Sequence, residues 1–448
     1  MVAPAVVIAA PASGSGKTTV ATGLIGALRA AGHRVAPFKV GPDYVDPGYH
    51  AVAAGLPGRN LDPVLVGERR IGPLYAHGSA GCDIAVVEGV MGLFDGRTGG
   101  GPSGPGHGST AHVAALLGAP VVLVVDARGQ ARSLAALLHG FATFDPTVRL
   151  AGVVLNRVGS PRHEQILREA CDDAGLPVLG ALPRDAELAV PARHLGLVTA
   201  AEHGAAARHA VAAMAALVGQ HVDLAAVTAR ASTTVCAPPW DAAQEVGAPR
   251  AGTPVVAVAG GGAFTFGYAE HAELLAAAGA QVVTVDPLHD AALPEGTRGL
   301  VLPGGFPEEH AADLAANAAL LRCVRELAAT GAPIHAECGG LLYLARELQG
   351  HPLAGVLDVT AEFSPRLTLG YREAVAVSGS VLHDAGARIS GHEFHRTVVH
   401  PAAGVRPAWG WAGAREGFVQ RGVHASYLHT HPASAPESIA RFVAACAA

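Results

Sequence analysis

Apolar runs of strand length recur along the first half of the chain: Ala5–Ala10, Arg34–Val40, Asp83–Glu88, Val121–Asp126 and Leu150–Leu155. Helix-period patterns stand between or after them at Thr18–Ala31, Ala131–Gly140 and Ser160–Ala174. A short continuous apolar run fits a strand covered on both faces. Its alternation with helices predicts an α/β fold built on a doubly wound parallel sheet. The periodicity fades from Ala225 to Thr253, where Pro238-Pro239 and Pro249 stand among Thr, Ala and Gly, and this reads as a linker. The pattern restarts with strands at Val255–Ala259, Gln281–Val285, Gly299–Leu302 and Pro333–His335 and a helix over Tyr268–Ala278, a second α/β unit. The expected organisation is a first domain over 1–240, a linker over 241–253 and a second domain over 254–448.

Composition narrows the function classes. The 448 residues suffice for two or three separate cores. No apolar run reaches the roughly 18 residues of a membrane span, and the apolar start lacks the basic region of a signal peptide. A net charge of −6 without any Lys/Arg run argues against a nucleic-acid surface. Six cysteines lie far apart with no C-x-x-C pair, as expected of a chain in a reducing cytoplasm.

The chemistry of the first half centres on Ala10-Pro11-Ala12-Ser13-Gly14-Ser15-Gly16-Lys17-Thr18-Thr19, a small-residue loop between a strand and a helix. Backbone N–H groups from Ser13 to Thr19 are placed to cradle phosphates, Lys17 to reach the β/γ-phosphates of ATP, and Thr18 to hold Mg²⁺. Pro11 stands where the usual motif has its first glycine. Acidic partners follow at strand ends: Asp43 and Asp46, as metal or substrate ligands or as an Asx-turn pair, and Glu88 in the place of a Walker-B acid. Asp95 follows in a glycine-rich turn, and Gly99–Gly108 reads as a lid. Asn156, at another strand end, suits either an adenine edge or a strand-to-helix turn.

In the second half, Ile334-His335-Ala336-Glu337-Cys338-Gly339-Gly340 has the strand–turn–helix pattern of a nucleophile elbow. The helix start behind Cys338 is expected to lower its thiol pKa. Gly304-Gly305 supplies backbone donors for an oxyanion, and the base is His429, with His431 as the other candidate. His392 and His395 read as substrate or loop contacts.

These motifs, in this order, together with Lys39-Val40-Gly41-Pro42-Asp43-Tyr44, Glu88-Gly89-Val90-Met91-Gly92, Arg193-His194-Leu195-Gly196-Leu197, Thr368-Leu369-Gly370-Tyr371-Arg372 and Gly391-His392-Glu393-Phe394-His395, resemble the cobyrinic or hydrogenobyrinic acid a,c-diamide synthase family along nearly the whole chain. The resemblance implies a dethiobiotin-synthetase-like domain followed by a class I glutamine amidotransferase domain, with Pro11 normal for the group. It implies ATP, Mg²⁺, L-glutamine and cobyrinate or hydrogenobyrinate as partners, amidation of the a and c acetates through an acyl phosphate, and a role in cobalamin biosynthesis. Asp95, Arg366, Arg372 and His395 become the expected substrate contacts. The alternative within the family is another tetrapyrrole acid, as in cobyric acid synthase or Ni-sirohydrochlorin a,c-diamide synthase. A homodimer is among the assemblies it allows. The chain departs from the family's usual charged residues at Gly260-Gly261-Gly262. It also departs from the His-x-Glu ending of other class I amidotransferases, since Ala433 follows His431-Pro432; this implies a Cys–His dyad. A partition-type ATPase switch, from a different class, would carry an early second lysine where Pro11 and Ala12 stand.

Overall fold

The computed structural model describes residues 2–99, 101–104, 106–184, 192–193, 196–197, 199–248 and 252–448. Gly100 and Pro105 of the expected lid, His194 and Leu195 of the Arg193–Leu197 motif, and residues 249–251 of the expected linker lie outside them. The chain forms two compact units, Met1–Trp240 and Asp241–Ala448.

The first unit is a seven-stranded sheet of β1 (Ala5–Ala9), β2 (Val35–Val40), β3 (Arg59–Leu61), β4 (Ile84–Glu88), β5 (Val121–Asp126), β6 (Leu150–Val158) and β7 (Val178–Pro183). The order is β3-β2-β4-β1-β5-β6-β7, parallel throughout. β1 lies in the middle with every residue buried, which explains its unbroken apolar sequence. The chain leaves β1 toward β2, and after β4 it returns to the other side of β1 at β5. The carboxyl end of β1 therefore faces the switch-point crevice where such sheets bind ligands.

Helix α1 (Lys17–Ala30) follows β1, and α2 (Asp46–Ala54) follows β2. Leu24, Ile25 and Leu28 of α1 are at most 1% exposed, and each such burial contributes about 1.5–3 kcal/mol. α1 packs against α3 (Ala205–His221) at very close range: a Cβ on Gly23 would meet the Met214 carbonyl and the Val218 side chain.

The Pro/Thr-rich stretch after Ala225 is not a free linker in its first part. Residues to Arg230 complete α4 (Leu224–Arg230), Ser232 bridges antiparallel to Ala5, and Thr234 N–H donates to the Leu117 carbonyl. Trp240 is 3% exposed and its backbone N–H donates to Pro73. Its weak periodicity reflects an extended segment bonded to the sheet rather than disorder. Ala242–Val246 then forms a short helix within the stretch expected to link the domains.

The second unit holds β8 (Val255–Ala259), β9 (Gln281–Val285), β10 (Thr297–Leu302), β11 (Ile334–Glu337), β12 (Thr360–Ala376), β13 (Arg388–His400), β14 (Phe418–Gln420), β15 (Val423–Ser426) and β16 (His429–Thr430). One sheet runs β9-β8-β10-β11-β15-β14 and is parallel except for β14. A second sheet is built on the long antiparallel pair β12–β13, with β16 on the outer side of β13. Its register sets the two sequence motifs opposite each other: Gly370 faces Glu393, Tyr371 faces His392 and Arg372 faces Gly391. His392 in turn faces His429.

Candidate functional site

The first unit gathers its polar residues at the end of β1. Gly14 (φ 78°) and Gly16 (φ 97°) hold the left-handed conformations that a tight phosphate loop requires. Ser15 Oγ donates to the Ala12 carbonyl at 2.9 Å. Asn156 Nδ2 donates to the Ser15 carbonyl at 2.9 Å, and a Cβ on Gly16 would collide with that amide. Asn156 thus braces the phosphate loop from the end of β6. Arg157, which the sequence reading passed over, braces the same loop: its Nη1 donates to the Gly14 carbonyl at 2.9 Å and to Asp126 at 2.5 Å. Ser13 and Gly14 are exposed on the loop, Thr19 is half-buried, and Lys17 donates to the Met91 carbonyl at 2.5 Å.

The acidic residues converge on a lysine that sequence reasoning did not assign. Lys39 Nζ lies 2.6 Å from Asp46, 2.9 Å from Glu88 and 3.8 Å from Asp43, and also donates to the Gly89 carbonyl. Thr18 Oγ1 donates to Glu88 at 2.7 Å and lies 3.3 Å from Asp46. His50, fully buried, donates Nε2–H to Glu88 at 2.6 Å. Burial opposes the Glu88 charge, but Lys39, His50 and Thr18 outweigh it and hold this carboxyl far below its usual range. Asp46 goes the other way, pushed up by burial and by the neighbouring Asp43 and Glu88 charges. Lys39 stays charged against its burial because Asp46, Glu88 and Asp43 surround it. A lysine between Phe38 and Val40 in a buried strand was the available signal.

Thr18, Asp46 and Glu88 offer oxygen donors around one point, the set a hard divalent cation takes. Asp43 is partly an Asx turn: its Oδ1 accepts from Val45 and Asp46 N–H at the start of α2. Asp95 likewise closes a turn, accepting from Gly92 N–H at 2.9 Å, near enough to Lys17 to favour its charge.

The second centre is a nucleophile elbow. β11 ends at Glu337, Cys338 has a left-handed φ of 47°, and α5 (Gly339–Leu344) starts at once. The small neighbours are required, since a Cβ on Gly340 would strike the Leu302 carbonyl. Cys338 is 3% exposed, and its Sγ lies 3.9 Å from the Phe394 carbonyl of β13. A Cβ on Gly304 would collide with the His429 ring, and a Cβ on Gly339 would come within 3.0 Å of Gly305 N. Gly304-Gly305 therefore lies between the histidine and the elbow, where its backbone can meet an oxyanion.

The thiol pKa corrects the sequence expectation. Burial, then the charges of Glu308, Glu337 and Glu393, push Cys338 well above a free thiol, against a single favourable Gly339 N–H. The six-residue α5 does not offset this. The resting thiol is neutral and needs a base. His429 is fully buried and held neutral, its pKa pushed down to about 4 by that burial. His431 is engaged elsewhere: its ring packs tilted against Tyr268 (centroids 4.1 Å, 40°), and its Nδ1 accepts from Ala433 N–H.

The expected substrate contacts divide. Arg366 is exposed on β12. Arg372 is paired with Glu393 at 2.6 Å, and His395 stacks on Tyr427 (3.8 Å, 10°) and donates Nδ1–H to the Thr397 carbonyl. Glu393 lies close enough to Cys338 and His429 to act on both, so Arg372 and His395 belong to the thiol centre.

Known proteins resemble this chain from end to end. Residues 6–198 match the CobQ/CobB/MinD/ParA nucleotide binding domain, and residues 255–436 the CobB/CobQ-like glutamine amidotransferase domain. The hydrogenobyrinate a,c-diamide synthase of Mycobacterium tuberculosis is 66% identical over 445 residues, covering 98% of this chain and 97% of that protein. The Streptomyces coelicolor protein of the same name is 57% identical, covering 99% and 97%. The cobyrinate a,c-diamide synthase of Gloeobacter violaceus is 44% identical, again covering 99% and 97%.

Proposed function

The chain belongs to the hydrogenobyrinate and cobyrinate a,c-diamide synthase family, and from that premise we propose that it is a two-centre ligase that converts the a and c acetate carboxylates of such a macrocycle to amides. In the second unit, Cys338 passes its proton to neutral His429 as sulfur attacks the side-chain amide carbon of glutamine. The Gly304-Gly305 backbone receives the oxyanion. His429 then protonates the departing ammonia, and water hydrolyses the thioester to glutamate.

In the first unit, a carboxylate cannot expel oxide, so it first takes the γ-phosphoryl of ATP to become an acyl phosphate, releasing ADP. Ammonia then attacks the carbonyl and expels phosphate. Ser13 to Thr19 cradle the nucleotide phosphates, and Lys17 leaves the Met91 carbonyl to meet them. Mg²⁺ held by Thr18, Asp46 and Glu88 would neutralise phosphate charge. Lys39 keeps the neighbouring carboxylates together. The more similar relatives carry the hydrogenobyrinate name, which favours the metal-free macrocycle as substrate.

The observation that carries this reading is the end-to-end similarity to proteins of that name, spanning both centres. The test is incubation with hydrogenobyrinic or cobyrinic acid, ATP, Mg²⁺ and glutamine, followed by mass measurement. Two successive losses of about one mass unit, OH replaced by NH₂, are expected; an unchanged mass overturns the reading.

A further inference from the structure

The His-x-Glu ending of related thiol centres is missing here, because His431 occupies the acid's place and is tied to Tyr268 and Ala433. A buried acid nevertheless faces His429 from another strand. Glu337, the residue before the nucleophile, has its Oε2 4.0 Å from His429 Nδ1. Its Oε1 accepts from Thr430 N–H at 3.1 Å and from Thr430 Oγ1–H at 2.8 Å, and lies 3.3 Å from His335 Nε2. One carboxylate thus clips the nucleophile's strand to the base's strand, with its second oxygen directed at the imidazole. Those donors keep Glu337 ionised against its burial, at a pKa of about 2. The other acid near the imidazole, Glu393, is paired with Arg372.

We propose that Glu337 is the positioning acid of the thiol centre, holding the proton of His429 on Nδ1 so that Nε2 is the basic nitrogen offered to Cys338. The role rests on the glutaminase reading above. A carboxylate at one ring nitrogen fixes the tautomer and stabilises the imidazolium formed when the thiol ionises. Catalytic contacts that are long without substrate tighten as that charge develops. The groups facing His429 are Glu337 on β11 and His392, Glu393 and His395 on β13; of these, Glu337 is the strongest influence raising the His429 pKa against its burial.

The test compares the full-length chain with Glu337→Gln, an isostere whose carbonyl still accepts from Thr430. Glutamine-dependent kcat is expected to fall about 10²–10⁴-fold with KM for glutamine little changed. Amidation from added ammonia is expected to persist, and the acid limb of the kcat profile to move to lower pH. Glu337→Asp is expected to restore part of kcat and return the limb toward its original position. A Glu337→Gln kcat within about threefold of the parent, or a lower kcat with an unmoved limb, overturns the proposal. Nitrogen NMR of His429 in the unaltered chain, assigned against His429→Asn, decides independently of any folding defect: Nδ1–H supports the role, and Nε2–H overturns it. A parent chain that amidates with ammonia but never hydrolyses glutamine overturns the underlying reading and this role with it. A shifted limb on an active parent leaves the reading intact.

Discussion

At the scale of single residues, Cys338 and Lys39 differ in how much the sequence disclosed. Cys338 was legible because an elbow needs a strand, small neighbours and a helix start in immediate succession, and all are local. The thiol's protonation was not legible. The carboxylates that raise it come from Glu308 and Glu393, distant in the chain, as well as from adjacent Glu337. Lys39 was quoted inside a motif without a role, since only tertiary folding brings Asp46 and Glu88 to it. The separation of the two chemistries is tested by Cys338→Ala. It should abolish glutamine-dependent amidation and leave ammonia-dependent amidation within a few-fold of the parent, followed as amide product on the macrocycle. Loss of both would count against independent centres.

At the scale of elements, five of the seven strands of the first unit's sheet were read, because strands buried on both faces have apolar sequences that need no partner to be recognised; the short Arg-Asn-Leu strand β3 and the Gly- and Pro-containing β7 went unread. The long β12–β13 pair was not read. β12 has one fully buried residue near its start and a mixed middle, with Phe363 and Leu369 exposed, so no alternation marks it. Its pairing with β13 is what aligns the two polar motifs, and pairing is a long-range property. The α1–α3 packing was equally hidden, although it rests on two absent side chains, those of Gly23 and Gly26. Gly23→Val would drive methyls into the Met214 backbone. A destabilisation of about 1–3 kcal/mol is expected, read as a lower denaturation midpoint with an unchanged slope.

At the scale of the whole molecule, buried imidazoles make the second unit sensitive to acid. Burial holds His271 and His383 at about 4, His392 at about 3 and His429 at about 4, and pushes His424 well below its ordinary value. The unfolded chain binds those protons near pH 6.5, so it takes up more protons than the folded chain between pH 6.5 and 4. The stability these histidines carry is complete above that range and is lost as pH falls through it. Glu416, raised to about 8 by burial, acts in the opposite direction but is one group against five. Trp409 packs against both His383 and His424 and reports the change. Tryptophan fluorescence should show a thermal midpoint falling steeply from pH 6.5 to 4.5. A flat profile would mean these imidazoles charge freely in the folded state.

The bond between Ser232 and Ala5 has a practical corollary for dissecting the protein. Recombinant fragments are usually cut where a homology match stops, which here is residue 198. That cut would discard the helix against which Gly23 rests and the threads sewn to Ala5, Leu117 and Pro73, baring the apolar flank of the nucleotide-handling half. A fragment ending at Trp240 should be recovered monodisperse in size-exclusion chromatography, and one ending at residue 198 should aggregate.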